Sequence, residues 1–486
     1  MNNNIAAPKS INYGDQLPLG IESRSQQKLF FPTNGDVYSG DNQNICRLDI
    51  SYDGLIDFSN SYLQFEVHNK TGFAYTFDMG QPLIERLRIE CGGVVLEDIQ
   101  NYNHLLAGIL APCQNGIGNT HFDAFNSTQP AAFSVPDGTY TPNPKQLEAY
   151  SQGSMGMGGV ANSVYRPPTL PTNLLLGGNN FIIAADHKRT IAYKLVSGLL
   201  DNDKFIPTVL LNAPITIEIT WAPSINSGCI EPGKTATGDH ILISKVRYVA
   251  HTIDLERSFY DRLRMVQQSS GGVLQIAGTS YRNYTSELTT VTGQSINIPA
   301  RLRSIKSVFW KAAKKNSSEF YGLSAGGHGN ISAYQLKIGG NSYPPTKITT
   351  NYGSSNAINK VTPYLEVMKA FGKVGSTVHS DMLNPTNYLV SIDGSSLSDG
   401  TTIDFSSSTF SNDKLLGLAA FAPYGLDLES FRHEIENGVN TSAKALTMYL
   451  EFDQTGNLPK ATPLQVFIMY DSLFYINMDG TISVST

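Results

Sequence analysis

A serine flanked by glycines is the part of this sequence that most resembles a catalytic site. Gly322–Gly326 (GLSAG) matches the G-x-S-x-G pattern of a serine nucleophile, and His328 lies close by as a candidate base. That pattern acts where a strand turns sharply into a helix at the top of a parallel sheet. Here the next residues, GHGNISAYQLKI, indicate a glycine loop leading into a strand. We therefore predict a hairpin loop at this position and no enzymatic activity.

A glycine run could in principle hold a phosphate group through its backbone N–H groups. Gly153–Gly159 (GSMGMGG) has this composition. No Lys-Ser or Lys-Thr follows it, and the surrounding residues do not indicate a strand followed by a helix, which a phosphate loop requires. We predict a surface loop here and no bound cofactor.

Metal ligation requires clustered ligands, and the candidate ligands are scattered. The histidines do not pair at helical spacing, and His433-Glu434 lacks the second histidine of a zinc-binding HExxH motif. Asp201-Asn202-Asp203 and Asp393–Asp399 lie near glycines but lack the spacing of a calcium loop, so solvated turns are favoured over a structural cation at a subunit contact. We predict no metal site. The nine histidines are His68, His104, His121, His187, His240, His251, His328, His379 and His433.

The cysteines and the N-terminus indicate a chain that folds in a reducing compartment. The four cysteines match no zinc pair and are too few for a disulfide framework in so long a chain, so reduced thiols are favoured over one or two disulfides. The N-terminal residues MNNNIAAPKSINYGDQ carry no apolar segment, and we predict no secretory signal. Glycosylation is therefore not expected at the Asn-x-Ser/Thr triplets. The cysteines are Cys46, Cys91, Cys113 and Cys229, and the triplets begin at Asn69, Asn126, Asn283, Asn316, Asn330 and Asn440.

The composition favours strands and turns and gives no sign of a nucleic-acid-wrapping protein. The chain of 486 residues is 41% apolar and 16% charged, with 24 Tyr, 22 Phe and 43 Gly, and its net charge is −6. Aromatic residues fit a pleated sheet and glycine favours tight turns. No basic half or tail provides the positive surface that binding to nucleic acid needs. No run of 18 apolar residues occurs, and we predict no membrane-spanning helix.

Two hairpins about 250 residues apart organise the predicted elements. In Gly80–Asp98, apolar Leu83, Leu87 and Ile89 alternate with polar residues up to a Gly92-Gly93 turn. A similar pattern in Ser332–Thr346 turns at Gly339-Gly340. Alternation of this kind predicts strands with one buried face. Arg86, Arg88 and Glu90 then lie on a solvated edge or on one that faces another subunit.

Each hairpin is followed by a predicted short helix, a loop-rich insertion and closing strands. The helices are predicted at Asp98–Leu110 and Thr362–Val374, the latter with Thr362 as N-cap and Pro363 in the first helical position. We predict three parts of the chain. Residues 1–40 form an extended N-terminal arm, which is either disordered or reaches a neighbouring subunit. Residues 41–250 form a first β-domain with an insertion at about 112–180, and residues 251–486 form a second β-domain.

The strand count per half favours a particular all-β fold. Two tandem antiparallel β-sandwiches follow from the repeated order of elements. An eight-stranded jelly roll fits each half better than a seven-stranded immunoglobulin-like sandwich, because no Cys…Trp…Cys pattern occurs. We predict an all-β chain of two tandem eight-stranded antiparallel jelly rolls with short helices and long loop insertions.

Five stretches in this order resemble the double jelly-roll major capsid proteins of eukaryotic double-stranded DNA viruses. The polar, Tyr- and Asn-rich character is most similar to capsid proteins of virophages and polinton-like viruses, and the resemblance to giant-virus capsid proteins is looser. The stretches are PLIERLRIECGGVVLED, FIPTVLLNAPITIEITW, INIPARLRSIKSVFW with Trp310, YQLKIGGNSYPP and LQVFIMYDSLFYINMDGTISV.

This resemblance implies a function in assembly. Three copies would form a pseudo-hexameric trimeric capsomer of an icosahedral virion shell, assembled in the host cytoplasm or nucleus. The implied partners are the chain itself and neighbouring capsomers, penton proteins, and minor or cement capsid proteins. The arm could contact an inner membrane or the genome, and the insertion at 112–180 could contact the host surface. The alternative is a β-sandwich receptor- or glycan-binding spike, or a minor capsid protein.

Overall fold

Strands form most of the chain that the computed structural model describes. Apolar and polar residues alternate along several of the strands, such as Ile45–Ile50 and Leu446–Phe452, so one face of these strands is buried and the other is more exposed. The described residues are 22–70, 76–77, 80–114, 183, 186–223, 229–230, 241–289, 292–312, 323, 331–350, 359, 361–374, 383, 388, 422–431, 436–452 and 462–486.

The first half of the chain contributes twelve strands among the described residues. Their bounds are β1 (Ser23–Phe30), β2 (Val37–Tyr38), β3 (Ile45–Ile50), β4 (Leu55–Asn69), β5 (Thr76–Phe77), β6 (Ile84–Cys91), β7 (Val94–Gln100), β8 (Lys188–Tyr193), β9 (Ile206–Pro207), β10 (Ile215–Trp221), β11 (Cys229–Ile230) and β12 (Ile241–Leu255).

The second half contributes nine strands among the described residues, and short helices separate some of the strands in both halves. The remaining strands are β13 (Val273–Leu288), β14 (Gly293–Ile298), β15 (Ile305–Ala312), β16 (Ile331–Ile338), β17 (Asn341–Thr349), β18 (Tyr424–Asp427), β19 (Leu446–Phe452), β20 (Thr462–Asn477) and β21 (Ile482–Ser485). The helices are α1 (Tyr102–Leu105), a π-helical turn (Leu106–Leu110), α2 (Ala111–Gln114), a 3₁₀ turn (Thr208–Leu210), α3 (Arg257–Ser269) and α4 (Val361–Ala370).

The strands form two sandwiches with the same sheet order. Sheet I (β1-β12-β4-β8) and sheet II (β3-β10-β6-β7) make the first unit, and β2 and β9 extend sheet I. Sheet III (β13-β20-β15-β18, with β21 on β20) and sheet IV (β14-β19-β16-β17) make the second unit. Eight strands correspond one to one, and all pairs are antiparallel. The prediction of two tandem eight-stranded jelly rolls is confirmed.

An aromatic cluster joins the two sheets inside each unit. In the first unit the Phe65 ring lies 5.1 Å from Trp221 and 5.3 Å from Tyr193, centroid to centroid. In the second unit Trp310 lies 5.0 Å from Tyr334 and 5.6 Å from Tyr424. Edge-to-face and offset ring contacts add to the free energy of burying these large side chains. Each unit therefore has its own sandwich core.

Both predicted glycine turns form as expected. Gly92 and Gly93 have φ angles of 57° and 82°, and Gly339 and Gly340 have φ angles of 57° and 96°. Two successive residues with positive φ give the turn whose twist matches a tight antiparallel hairpin, and glycine adopts that conformation without a steric penalty. The turns connect β6 to β7 and β16 to β17.

The helices differ in detail from the prediction. The first helical segment begins at Tyr102, because residues up to Gln100 still belong to β7, and it continues to Gln114. The second begins at Val361, so the prediction of Thr362 as N-cap is wrong. The Asn359 side-chain oxygen accepts from the Thr362 N–H at 3.3 Å, which is the hydrogen bond that an N-cap residue makes.

One predicted domain bound falls inside a strand, the predicted arm contains a paired strand, and a helix lies at the boundary between the halves. β1 lies within the range predicted as an arm, yet it pairs along its whole length with β12. β12 passes residue 250 and ends at Leu255, and α3 then leads into β13. No helix was predicted at α3, where only Gln267 is buried. None of the described helices is both long and apolar enough to cross a lipid bilayer.

Candidate assembly surface

The two jelly rolls meet at a junction built around a buried carboxylate on β7. Glu97 accepts hydrogen bonds from the Ser197 hydroxyl at 2.8 Å, from the Gly198 N–H at 2.8 Å and from the Leu199 N–H at 2.9 Å. Burial raises the pKa of this carboxyl group, and the donors oppose that shift because they stabilise its ionised form. The contacts hold the loop after β8, residues 194–204, in one conformation beside the second unit.

That loop contacts β13 at backbone distance. A Cβ atom added to Gly278 would lie 2.1 Å from the Gly198 carbonyl oxygen, so only glycine fits there without a shift of one backbone. The Asn202 side chain spans the same contact and donates to the Ala277 carbonyl oxygen at 2.6 Å. The first unit therefore packs closely against the first strand of the second.

Side-chain amides extend the junction on both sides of this contact. The Asn101 side chain donates to the side-chain oxygen of Asn283 at 2.8 Å, and the Asn283 side chain in turn donates to the side-chain oxygen of Gln465 at 3.1 Å. At another point the Asn212 N–H donates to the Gly480 carbonyl oxygen at 3.0 Å. Hydrogen-bonded polar contacts of this kind fix an orientation as well as contributing stability.

The helical segment from Tyr102 to Gln114 also crosses between the units. Ala107, Ala111 and Cys113 are buried in the same apolar cluster as the core of the second unit. Burial, together with the nearby Lys311 ammonium group, lowers the pKa of His104 to about 3. The Lys373 ammonium group donates to the Cys113 carbonyl oxygen at 2.6 Å. The junction thus combines apolar burial with directed polar contacts, and it holds the jelly rolls as one body.

Among the described residues, β1 and β17 are edge strands that carry several exposed residues. All seven residues of β1 before Phe30 are exposed, and β1 pairs with another named strand on one side. Leu29, within β1, is 43% exposed, and Phe31, directly after β1, is 60% exposed. In the second unit five of the nine residues of β17 are exposed, and α4, the next described helix, presents Val361 at 67% and Leu365 at 44% exposure.

The outer face of sheet II carries ion pairs formed within the chain. Arg86 forms two hydrogen bonds with the Asp98 carboxylate, at 2.7 and 2.6 Å, and Arg88 pairs with Glu90. The predicted alternatives for these side chains were a solvated edge or one that faces another subunit. The structure shows ion pairs whose side chains are each one third exposed or less.

Most of the predicted chemical motifs lie outside the described residues. Within GLSAG only Leu323 is described, and its carbonyl oxygen accepts from the Lys311 ammonium group. Ser324, His328, Gly153–Gly159 and Asp393–Asp399 are not described, nor are Asn126, Asn316, Asn330 and residues 1–21 and 115–182.

The described candidates for metal binding have structural contacts of their own. Asp201 pairs with the Lys194 ammonium group at 2.5 Å, and Asn202 belongs to the junction. Within the described part of the chain, no group of three His, Cys, Asp or Glu side chains could hold a metal ion.

The side chains of three cysteines and three asparagines of the predicted sets are described, and Cys229 lies in β11. The Cys46, Cys91 and Cys113 side chains are buried, and burial raises the pKa of Cys46 to about 12. Asn69 is buried and donates to the Ile183 carbonyl oxygen, and Asn283 lies in the junction. Exposed Asn440 accepts from the Ser442 N–H.

Comparison with known proteins gives matches in structure and none in sequence. No model of a protein family matches the chain, and no curated protein sequence matches it significantly. A chain of the PBCV-1 virus capsid is similar with a TM-score of 0.53 at 11% identity, covering 98% of this chain and 99% of that one. A chain of the Sputnik virophage is similar with a TM-score of 0.53 at 10% identity, covering 100% and 93%.

A third solved structure belongs to a further group of viruses. The faustovirus major capsid protein has a TM-score of 0.50 at 8% identity, and the match covers 96% of this chain and 92% of that one. The matches run through both units and across the junction, so they concern the arrangement of the two jelly rolls as well as each sandwich. The chain therefore has the double jelly-roll fold, which it shares with these viral capsid proteins.

Proposed function

We propose that the chain is the major capsid protein of an icosahedral DNA virus of the virophage or polinton-like type, with a structural and not a catalytic role. The observation that carries this proposal is the pair of equivalent jelly rolls locked together in one chain. The similarity of the whole fold to capsid chains of PBCV-1, Sputnik and faustovirus supports it.

Three copies of such a chain form a pseudo-hexameric ring. Each copy contributes two units with the same strand order, so a three-fold ring carries six similar units around its axis. A cyclic trimer uses one head-to-tail contact that closes after three steps. Six-sided capsomers of this kind tile the facets of an icosahedral shell.

A capsomer of this kind needs a fixed angle between the two units of each chain. The Glu97 contacts, the Gly198–Gly278 approach and the helical segment up to Gln114 supply that rigidity. If the junction were flexible, every contact between capsomers would first have to overcome the entropy of ordering the two units. The polar outer face of sheet II suits wet contacts repeated over a shell.

The finer parts of the proposal concern domains, partners and location. Residues 1–40 act as an arm whose β1 joins the first jelly roll, residues 41–250 form that jelly roll with its insertion at 112–180, and residues 251–486 form the second. The partners are further copies, neighbouring capsomers, penton proteins and minor or cement proteins. The arm contacts an inner membrane or the genome, and the insertion contacts the host surface. Assembly takes place in the host cytoplasm or nucleus.

Native mass measurement of the purified full-length chain tests the proposal. A trimer has three times 52.9 kDa, about 159 kDa. Electron microscopy of the same material should show hexagonal particles with a hole or depression on the three-fold axis. A stable monomer at all concentrations, with no assembly at high protein or salt concentration, would contradict the proposal.

A further inference from the structure

A lysine and two carboxylates meet inside the second unit. The Lys306 ammonium group lies 3.2 Å from the Asp471 carboxylate and 3.2 Å from the Glu429 carboxylate. The three side chains are 12%, 5% and 13% exposed, in the order Lys306, Asp471, Glu429. This group is withdrawn from water, unlike the surface pair of Lys347 and Glu451, whose side chains are about half exposed.

A bulge in β15 directs Lys306 toward this group. The pairing between β15 and β20 shifts by one residue between Ile305 and Ser307, so Lys306 has no partner of its own in β20. A bulge changes the direction of a side chain relative to a regular strand. Asp471 lies on β20, directly after the residue that pairs with Ile305. Two neighbouring strands of sheet III therefore bring the amine and the carboxylate together.

Backbone contacts hold Glu429 beside the lysine. The Leu428 N–H donates to the Lys306 carbonyl oxygen at 2.8 Å. The Glu429 N–H donates to the Asp427 side chain at 3.0 Å, at the end of β18. These bonds fix the main chain of Glu429 without using its carboxylate. That carboxylate can therefore take a proton from the lysine and return it.

The two oxygens of the Asp471 carboxylate have different surroundings. Oδ2 accepts from the Ser304 hydroxyl at 2.7 Å and from the Glu436 N–H at 2.9 Å, whereas Oδ1 faces the Lys306 ammonium group. Two donors on one oxygen stabilise the negative charge that develops there when a nucleophile attacks the carboxyl carbon. The oxygen that faces the lysine is then the one that leaves as water. This arrangement suits the formation of an amide.

Residues 436–439 close the site at backbone distance. A Cβ atom on Gly438 would lie 2.3 Å from the Ile305 carbonyl oxygen, and the Gly438 N–H donates to the Ser304 hydroxyl at 3.0 Å. Charges buried in this way have lost hydration, and replacing an ammonium group and a carboxylate by a neutral amide removes two of the three. Reacting groups that are held in contact also react faster than groups that must first meet.

We propose that Lys306 and Asp471 condense into an isopeptide bond that links β15 to β20 covalently. The ammonium group first passes one proton to Asp471 Oδ1 by way of Glu429, which leaves a neutral amine and a neutral carboxylic acid. Nζ then forms a bond to Cγ, and Glu429 carries a second proton from Nζ to Oδ1. The bond between Cγ and Oδ1 breaks and one water molecule leaves. Nζ keeps its third proton, Glu429 is regenerated, and nothing is oxidised or reduced.

The bond belongs to the second unit and does not depend on the proposed function. On the corresponding strands of the first unit, β4 and β12, the Asp57 carboxylate accepts from the Ser59 and Asn60 side chains, and no described lysine pairs with it. A covalent link between residues far apart in the chain restricts the unfolded state and so stabilises the fold. The second jelly roll would therefore resist unfolding more than its ion pairs alone provide.

Mass spectrometry of the full-length, unsubstituted chain tests the inference. After incubation of the folded protein at neutral pH, the intact mass should be lower than the sequence mass by one water molecule. In a tryptic digest residues 304–311 should be joined to residues 461–486, and cleavage after Lys306 should be lost. The exposed pair of Lys347 and Glu451 is the internal control and should stay unlinked in the same digest.

Two substitutions separate bond formation from ion pairing. Lys306→Arg keeps the positive charge but removes the amine, and Glu429→Gln removes the group that carries the protons. Both variants should keep the mass expected from their sequences and unfold at a lower temperature, whereas Lys347→Arg, the matched control, should still lose one water molecule. An unsubstituted chain with its full sequence mass, cleaved after Lys306, would show an ion pair only and overturn the inference. Linked peptides at equal yield in Glu429→Gln would overturn the role of Glu429.

Discussion

The two glycine hairpins are the same element in different surroundings. Both turn through two glycines with positive φ, and both provide the last two strands of a four-stranded sheet. In β6–β7 the outer strand contacts the second unit, and its residues Leu96, Glu97 and Ile99 are buried. In β16–β17 the outer strand is exposed and carries Pro344 and Pro345. The two hairpins have the same topology, so topology alone does not determine which edge becomes an interface. A few side chains on each outer strand make the difference.

The largest expected effect comes from a substitution at the close backbone contact between Gly198 and Gly278 in the junction. Gly278→Ala places a methyl group 2.1 Å from the Gly198 carbonyl oxygen, so the junction must open. We expect a loss of about 3 kcal/mol in the free energy of unfolding, measured by urea titration. Gly293→Ala is the matched control, because its Cβ would meet nothing closer than 3.7 Å. Equal stability of the two variants would show that the junction is not tightly packed.

The buried carboxylate gives the next largest effect. Glu97→Ala removes the acceptor of the Ser197 hydroxyl and of the Gly198 and Leu199 N–H groups. We expect a loss of about 2 kcal/mol in the same titration, since buried donors are left unpaired. Glu97→Gln should lose less, because its amide oxygen still accepts. In the exposed hairpin's sheet Glu451→Ala should cost about 0.5 kcal/mol or less. A Glu97 variant as stable as the Glu451 variant would contradict the assigned role.

Acid should lower the free energy of unfolding through His104, which is buried at the junction. Its pKa is about 3 in the folded chain, below the ordinary value of 6.5, because burial and Lys311 disfavour the charged form. Above pH 6.5 the ring is neutral in both states and stability is complete. Between pH 6.5 and about 3 the unfolded chain binds a proton that the folded chain does not, so stability falls. Thermal unfolding at a series of pH values measures this loss. The His104→Gln variant should lose less stability per pH unit than the unmodified chain. An unchanged dependence of stability on pH would exclude His104 as the cause.

The surface ion pairs should give the smallest effects. Arg86→Ala breaks a two-point contact with Asp98 whose side chains are about one third exposed, and we expect a loss of about 1 kcal/mol. Lys347→Ala breaks the pair with Glu451, which is about half exposed, and should cost about 0.3 kcal/mol. Urea titrations at low and high salt measure both losses. A larger loss for Lys347→Ala would mean that the exposed hairpin depends more on its charges than the covered one.

Local patterns predicted the strands, the two turns and the order of the halves. Alternation along residues such as Leu87 and Ile89 depends only on the two-residue period of a strand, and Gly92-Gly93 depends only on backbone sterics. The ends of the helices were predicted less accurately. Thr362 was predicted as the N-cap, but the Asn359 side chain makes the capping hydrogen bond. The amphipathic spacing of Phe259, Leu263 and Val266 in α3 was an available signal that the strand-based prediction missed.

The burial of Glu97 in the junction could not be predicted from the local sequence pattern, for a physical reason. Glu97 sits beside Asp98 in a stretch that predicts outward polar residues, but a bulge opposite Ile89 and Glu90 shifts the register of β7 by one residue. A one-residue shift exchanges the faces of a strand. The carboxylate is then directed toward donors about 100 residues away in the chain, on a loop with no strand or helix pattern of its own.

The sequence by itself determined two eight-stranded units, their glycine turns and their order, because these depend on neighbours within a few residues. Only the tertiary structure decided which of the equivalent edges are covered within the chain and which remain open. That decision depends on contacts between Gly198 and Gly278 and between Asn101 and Asn283. These residues are far apart in the chain, and neither pair leaves a periodic trace in the sequence.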